Sequence, residues 1–246
     1  MARARGFSLV ELAVVMSIVA FLLGGLMYTL SAQTEQRNFE ETRRRLEQAR
    51  ELLLSFALVN SRLPCPGVAT GDEAGGGAAA CTTAYGGFLP ARAIGFQPTN
   101  NAGFGLDPWG NRIRYAVSAT TWGTTRFTKQ HSSIPITDAW LVTTTPNDLV
   151  ICGSASVVTG TSCGTAASVT NQNLVVAIIF STGKNGALTP CATCLDERAN
   201  TIVVDPVFVF HTPTPSTAAN GEFDDQFAWI TVGELYGKLI AAGVLP

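Results

Sequence analysis

Two hydrophobic patterns divide the chain. From Phe7 to Leu30 the residues are almost all apolar, with Ser8, Glu11, Ser17 and Thr29 as interruptions. About 20 such residues suffice to span a bilayer as a helix, so the run predicts a transmembrane segment over 7–30. From Gln33 onward charges take over, and apolar or small residues recur at Phe39, Thr42, Leu46, Ala49, Leu53 and Phe56. That three-four spacing is the stripe of an amphipathic helix over 31–63. No proline lies between Phe7 and Leu63. The two halves therefore read as one helix of about 55 residues, roughly 80 Å long, that stops at Pro64-Cys65-Pro66-Gly67.

Beyond residue 64 the period changes. Ile113, Tyr115 and Val117 alternate after the turn signal Asp107-Pro108-Trp109-Gly110-Asn111, with Trp109 expected to plug the core. Further strands are predicted over 139–144, 149–152, 174–181 and 201–210. Val175 to Phe180 is apolar without a break, the mark of a central strand buried on both faces. The segment 87–94 is expected beside the helix, and residues 230–245 are spaced as a short C-terminal helix. The fold class is α+β: a long N-terminal helix packed on an antiparallel sheet. Its parts are a basic leader (1–6), a membrane or core helix (7–30), an amphipathic half (31–63) and a β-rich globular domain (64–246).

Composition narrows the function. Only 14% of residues are charged and the net charge is −2, becoming −4 if Arg3 and Arg5 leave with a leader, so no basic field is present to attract nucleic acid. Arg43, Arg44 and Arg45 are interleaved with Glu40, Glu41 and Glu47, which makes an ion-paired helix face of them. By the positive-inside rule these arginines outweigh Arg3 and Arg5 and argue for the opposite orientation. The cysteines favour an exported C-terminal domain. All six follow the apolar run, an even number in a domain rich in turn residues. Their spacing suggests the local pairs Cys65–Cys81, Cys152–Cys163 and Cys191–Cys194; a zinc or redox role for Cys191-Ala192-Thr193-Cys194 lacks the accompanying ligand pair or βαβ context. His131 and His211 stand apart from any nucleophile, and no catalytic motif occurs. The chain reads as a structural protein and not as an enzyme.

Two acidic features stand out. Glu11 is a carboxylate inside an apolar run, where its cost is about 2.5–3.5 kcal/mol on insertion scales, so it needs a partner or a task. Glu222, Asp224 and Asp225 crowd a glycine-bearing loop ahead of Trp229. They form either a solvated acidic turn or, with Trp229 packed as an anchor, a site for a hard cation such as calcium.

Gly6-Phe7-Ser8-Leu9-Val10-Glu11-Leu12 after a short basic leader resembles the processing site of type IV prepilins and type II secretion pseudopilins. The resemblance implies cleavage between Gly6 and Phe7 by prepilin peptidase, methylation of the new N-terminus, and Glu11 as the assembly carboxylate that meets a neighbouring subunit's amine. Asp107-Pro108-Trp109-Gly110-Asn111 and Ser181-Thr182-Gly183-Lys184-Asn185-Gly186 resemble turns of the major pseudopilins, and the acidic loop resembles their calcium-binding loop. The implied partners are prepilin peptidase, other pilin or pseudopilin subunits, an inner-membrane assembly platform and the membrane. The implied location is the bacterial inner membrane, with the C-terminal domain in the periplasm, then a pilus or pseudopilus. A minor pilin carrying an adhesive or DNA-binding tip is the other role within this resemblance. The insertion around 120–170 and the C-terminal tail depart from the simple major subunit and point to an enlarged one.

Overall fold

The structure is a computed structural model that describes residues 8–77, 79–119, 127–128, 148–170, 174–186, 193–202 and 204–244, with only the helical backbone at 25–31. Gly6, Phe7, His131, Cys191 and the strand expected over 139–144 lie outside the described residues. The chain divides into two compact units, residues 1–40 and 41–246.

In the first unit the helix α1 (Leu9–Asn60) begins. Every described side chain from Ser8 to Gly24 is exposed, including Leu9, Phe21 and Leu22. Ser17 Oγ donates to the carbonyl of Ala13 at 2.8 Å, so this hydroxyl is satisfied within its own helix. Among the described residues no helix is long and apolar enough to cross a membrane. The apolar run of the sequence goes on through residues 25–30, of whose side chains nothing is described.

In the second unit α1 buries the predicted stripe, with Ala57 in place of Phe56 at its end: Thr42, Leu46, Ala49, Leu53, Leu54 and Ala57 are all buried. The helix stops at Asn60, ahead of the prolines. Ser61 takes a left-handed conformation (φ 53°), and the restriction that Pro64 places on Leu63 then keeps the backbone extended. Arg62 forks onto Glu73 at 2.6 and 2.7 Å, fastening this end of the helix to the loop closed by the Cys65–Cys81 disulfide.

The main sheet has the order β1 (Gly87–Phe88), β2 (Arg114–Val117), β4 (Val175–Ser181), β6 (Gln226–Thr231), with every neighbouring pair antiparallel. A second, two-stranded sheet pairs β3 (Val150–Cys152) with β5 (Val207–Val209) in parallel. α1 covers one face of the main sheet, where Leu53 and Ala57 share a core with Tyr115, Val176, Ile179 and Ile230. Leu149, Ile151 and Phe208 cover the other face against Ala116, Ile178 and Phe180. β4 is therefore buried on both sides, which is why its seven residues carry no polar alternation. The Cys152–Cys163 disulfide closes the outer side of the small sheet. Cys194 is disulfide-bonded as well.

Several expectations are corrected. The strand over 201–210 shrinks to β5, because α3 (Leu195–Asn200) runs into its start and Pro206 has no N–H for a ladder. The C-terminal helix does not begin at Ile230: residues 226–231 form the edge strand β6, and α4 (Val232–Ala241) starts only where Thr231 Oγ1 accepts the Glu234 N–H at 3.2 Å. Arg50 then joins α1 to both, donating to the Trp229 carbonyl at 3.1 Å and pairing with Glu234 at 2.6 Å. Trp109 is not a core plug. It is half-buried at the surface, and the buried residue of its turn is Asp107, which binds its neighbours' N–H groups.

Candidate functional site

At the start of α1, Ser8 and Glu11 satisfy each other. The Glu11 N–H donates to Ser8 Oγ at 3.2 Å, while Glu11 Oε2 accepts from the Ser8 N–H at 3.2 Å and from its hydroxyl at 3.3 Å. This is a reciprocal capping box, and its Ser-x-x-Glu spacing is visible in the sequence although the sequence reading above did not use it. The carboxylate also lies in the first turn of the helix, where the partial positive charge of the backbone favours an anion.

The second site is built at the β4–β6 end of the domain. Register brings it together: Ser181, the last residue of β4, pairs with Gln226, the first of β6, so the turn 182–186 and the loop 221–225 are neighbours. Asp107 ties the turn down, with Oδ2 accepting from Ser181 Oγ at 2.7 Å and Oδ1 from the N–H groups of Trp109 and Asn111 at 3.0 and 2.8 Å. Asn111 Nδ2 donates to the Gly183 carbonyl at 2.6 Å. Burial raises the Asp107 carboxyl above its usual range, against the pull of these donors. Gly183 is left-handed (φ 60°), and a Cβ there would fall 2.0 Å from Asp224 Oδ1; the space that glycine leaves is filled by the carboxylate.

Three carboxylates converge at this place: Glu197 from α3, and Asp224 and Asp225 from the loop before β6, with one ligand oxygen of each lying within 4.8 Å of the others. All three are buried. Asp224 Oδ2 accepts the Lys184 N–H at 2.8 Å, Glu197 Oε1 accepts the Asp224 N–H at 3.0 Å, both Glu197 oxygens share the Asn185 Nδ2 donor at 3.0 and 2.9 Å, and Asp225 Oδ2 accepts from Asn200 Nδ2 at 2.7 Å. Asp224 Oδ1 and Asp225 Oδ1 are buried and have no hydrogen-bond partner among the described residues. Burial, then the charge of Glu197, pushes the Asp224 carboxyl up to about 7. Burial raises Asp225 well above the usual carboxylate range, and the Arg114 guanidinium opposes it only in part. Glu197 is raised by burial too, with Glu222 adding to it.

Of the three carboxylates expected to gather, the structure brings Asp224 and Asp225 together, while Glu222 is half-exposed, lies outside the cluster and bears on it through its charge. Glu197 takes its place. Trp229 is not the anchor of the loop: the buried aromatic there is Phe223, on which the His211 ring stacks at 4.0 Å. The donor set is all hard oxygen. A calcium ion bound at about 2.3–2.6 Å places two ligands up to roughly 5 Å apart, whereas magnesium at about 2.0–2.1 Å demands a tighter set. A set lying within 4.8 Å is compact enough for a single calcium ion.

Neither the curated proteins nor the solved structures hold a match to this chain. Residues 1–27 match the prokaryotic N-terminal methylation motif, and with it the chain carries the signature of type IV pilins and pseudopilins.

Proposed function

We propose that this chain is a structural subunit of a type IV pilus or type II secretion pseudopilus. The methylation motif at residues 1–27 carries the reading. Prepilin peptidase cleaves between Gly6 and Phe7 and methylates Phe7. The apolar run 7–30 holds the chain in the inner membrane, with the domain in the periplasm, and then enters the filament core. The exposed apolar side chains of residues 9–23 support this, because an apolar surface of that extent marks a membrane or protein contact. Two disulfides in the domain suit an oxidising compartment. The test has two readouts. Mass spectrometry of chain extracted from membranes is expected to find a methylated N-terminal Phe7, and Glu11→Ala is expected to leave insertion intact while abolishing entry into filaments. A chain beginning at Met1, or normal incorporation of the variant, overturns the reading.

A second reading concerns the acidic centre, and the two unpartnered buried oxygens of Asp224 and Asp225 favour it. At an effective dielectric near 20, two carboxylate charges 4.8 Å apart repel by about 3.5 kcal/mol. A divalent cation such as calcium, held by Glu197, Asp224 and Asp225, turns that repulsion into attraction. The full chain in detergent is then expected to melt several degrees higher in millimolar calcium chloride than in chelator; identical melting removes the ion from the account.

A further inference from the structure

Asp196 and Glu197 are consecutive in α3, yet they serve different networks. Glu197 enters the acidic centre. Asp196, also buried, is the hub of the loops on the other side. Its Oδ1 accepts the Ala155 N–H at 2.6 Å, Asn220 Nδ2 reaches its two oxygens at 3.2 and 3.0 Å, and His211 Nε2 lies 3.1 Å from Oδ2. The Leu195 N–H donates to the Asn220 carbonyl at 2.9 Å. At the other end of the same short helix, Asn200 clasps β5, accepting the Val209 N–H at 2.7 Å and donating to its carbonyl at 3.0 Å. Gly221 packs so tightly on residues 193–194 that a Cβ would lie 2.7 Å from the Thr193 carbonyl oxygen.

A helix of six residues tied at both ends moves as one piece. If repulsion drives Glu197 away from Asp224 and Asp225, Asp196 in the same turn moves with it, and the hydrogen bonds to Ala155 and Asn220 lengthen together. Resting on the cation reading above, we propose that occupancy of the acidic centre is relayed through α3 and sets the order of the loops 153–156 and 211–221. The acidic centre is then a switch for the loops held by Asp196, and not merely a brace for its own residues. The coupling is a free energy shared by the two sites and therefore reciprocal: weakening the hub lowers calcium affinity by the factor with which calcium tightens the hub.

Hydrogen exchange followed by mass spectrometry on the full chain in detergent, with calcium chloride or chelator, tests this. The amides of Lys184 and Asp224, which donate within the acidic centre, report binding; that of Ala155, which donates to Asp196, reports the relay. Calcium is expected to slow exchange at both places, on the order of tenfold at the hub. In Asp196→Asn the slowing is expected to persist at Lys184 and Asp224 and to vanish at Ala155. Slowing confined to Lys184 and Asp224 in the unmodified chain overturns the relay while sparing the cation site. No change at either place overturns both. An undiminished response of Ala155 in Asp196→Asn shows that the signal bypasses α3, and overturns the proposal as well.

Discussion

Replacing Asp225 by Asn is expected to stabilise the metal-free protein and to destroy its response to calcium. Asp225 is 2% exposed, and its ligand oxygen lies within 4.8 Å of those of both Glu197 and Asp224. Each ionised pair repels by about 3.5 kcal/mol at an effective dielectric near 20. Two terms reduce this: Arg114 attracts Asp225, and the raised Asp224, Asp225 and Glu197 carboxyls retain protons that relieve part of the repulsion. A net gain on the order of 2 kcal/mol is left for the substitution. The near-identical shape adds nothing unfavourable. The amide oxygen still accepts from Asn200 Nδ2, and the new NH2 group removes a buried oxygen that had no donor. For a domain of this size 1 kcal/mol moves the melting temperature by roughly 2–4 °C, so the variant melts about 4–8 °C higher in chelator. In calcium the order changes. The unmodified chain gains about 2.7 kcal/mol at a hundredfold excess over Kd, while the variant, with one ligand lost, gains little. Thermal unfolding of both chains in detergent, with chelator and with calcium chloride, measures all four numbers. A variant that melts lower than the parent in chelator shows Asp225 to be a stabilising, paired charge. Equal calcium increments show that it is not a ligand. Either result refutes the reasoning.

The same carboxyls set a pH dependence. In the folded chain Asp224 is pushed up to about 7 and Asp225 and Glu197 are raised as well, so the folded state holds protons that the unfolded chain releases near pH 4. The stability they contribute is complete below about pH 4 and is lost as pH rises through about 7. Without calcium the chain is therefore expected to be more stable at pH 5.5 than at pH 8, by about 2 kcal/mol from Asp224 with Asp225 and Glu197 acting in the same direction, and calcium is expected to flatten or invert that slope; chemical denaturation at the two pH values measures it. Asp107→Ala takes from the N–H groups of Trp109 and Asn111 and from the Ser181 hydroxyl the carboxylate that accepts them, at about 1 kcal/mol each, and a loss of about 3 kcal/mol in unfolding free energy is expected from denaturant titration. A loss below about 1 kcal/mol shows that water replaces Asp107.

How far the sequence reveals this molecule depends on the range of the forces involved. The stripe Thr42, Leu46, Ala49, Leu53 is legible because one helix sets its period, and the central strand Val175–Phe180 because burial on both faces removes every polar residue from it. Edge strand β6 reads less well. Gln226-Phe227-Ala228-Trp229-Ile230-Thr231 has one face on the core and runs without a turn signal into α4, so its apolar residues also suit a helix. The acidic centre is half legible for a related reason. Asp224 and Asp225 are adjacent in the chain, but Glu197 reaches them only because β4 and β6 pair in a register that joins their ends and α3 is then laid across β5. Composition and spacing carry no information about such a pairing, and the adjacent Asp196-Glu197 doublet gives no sign that its two members face different networks.

Glu11 presents the opposite case, in which a purely local signal changes the physical account. Considered against an apolar run alone, its carboxylate is an uncompensated charge that requires an external partner. The Ser8-x-x-Glu11 spacing supplies a partner three residues away, in the backbone N–H and hydroxyl of Ser8. Those contacts offset part of the insertion cost before any second subunit arrives. They also hold the carboxylate at the first turn of α1, directed by a fixed cap through Oε2 rather than left as a free rotor. A neighbouring amine would then meet a positioned acceptor. The assembly role proposed for Glu11 follows more readily from a carboxylate that is kept in place at modest cost than from one that is merely expensive to bury.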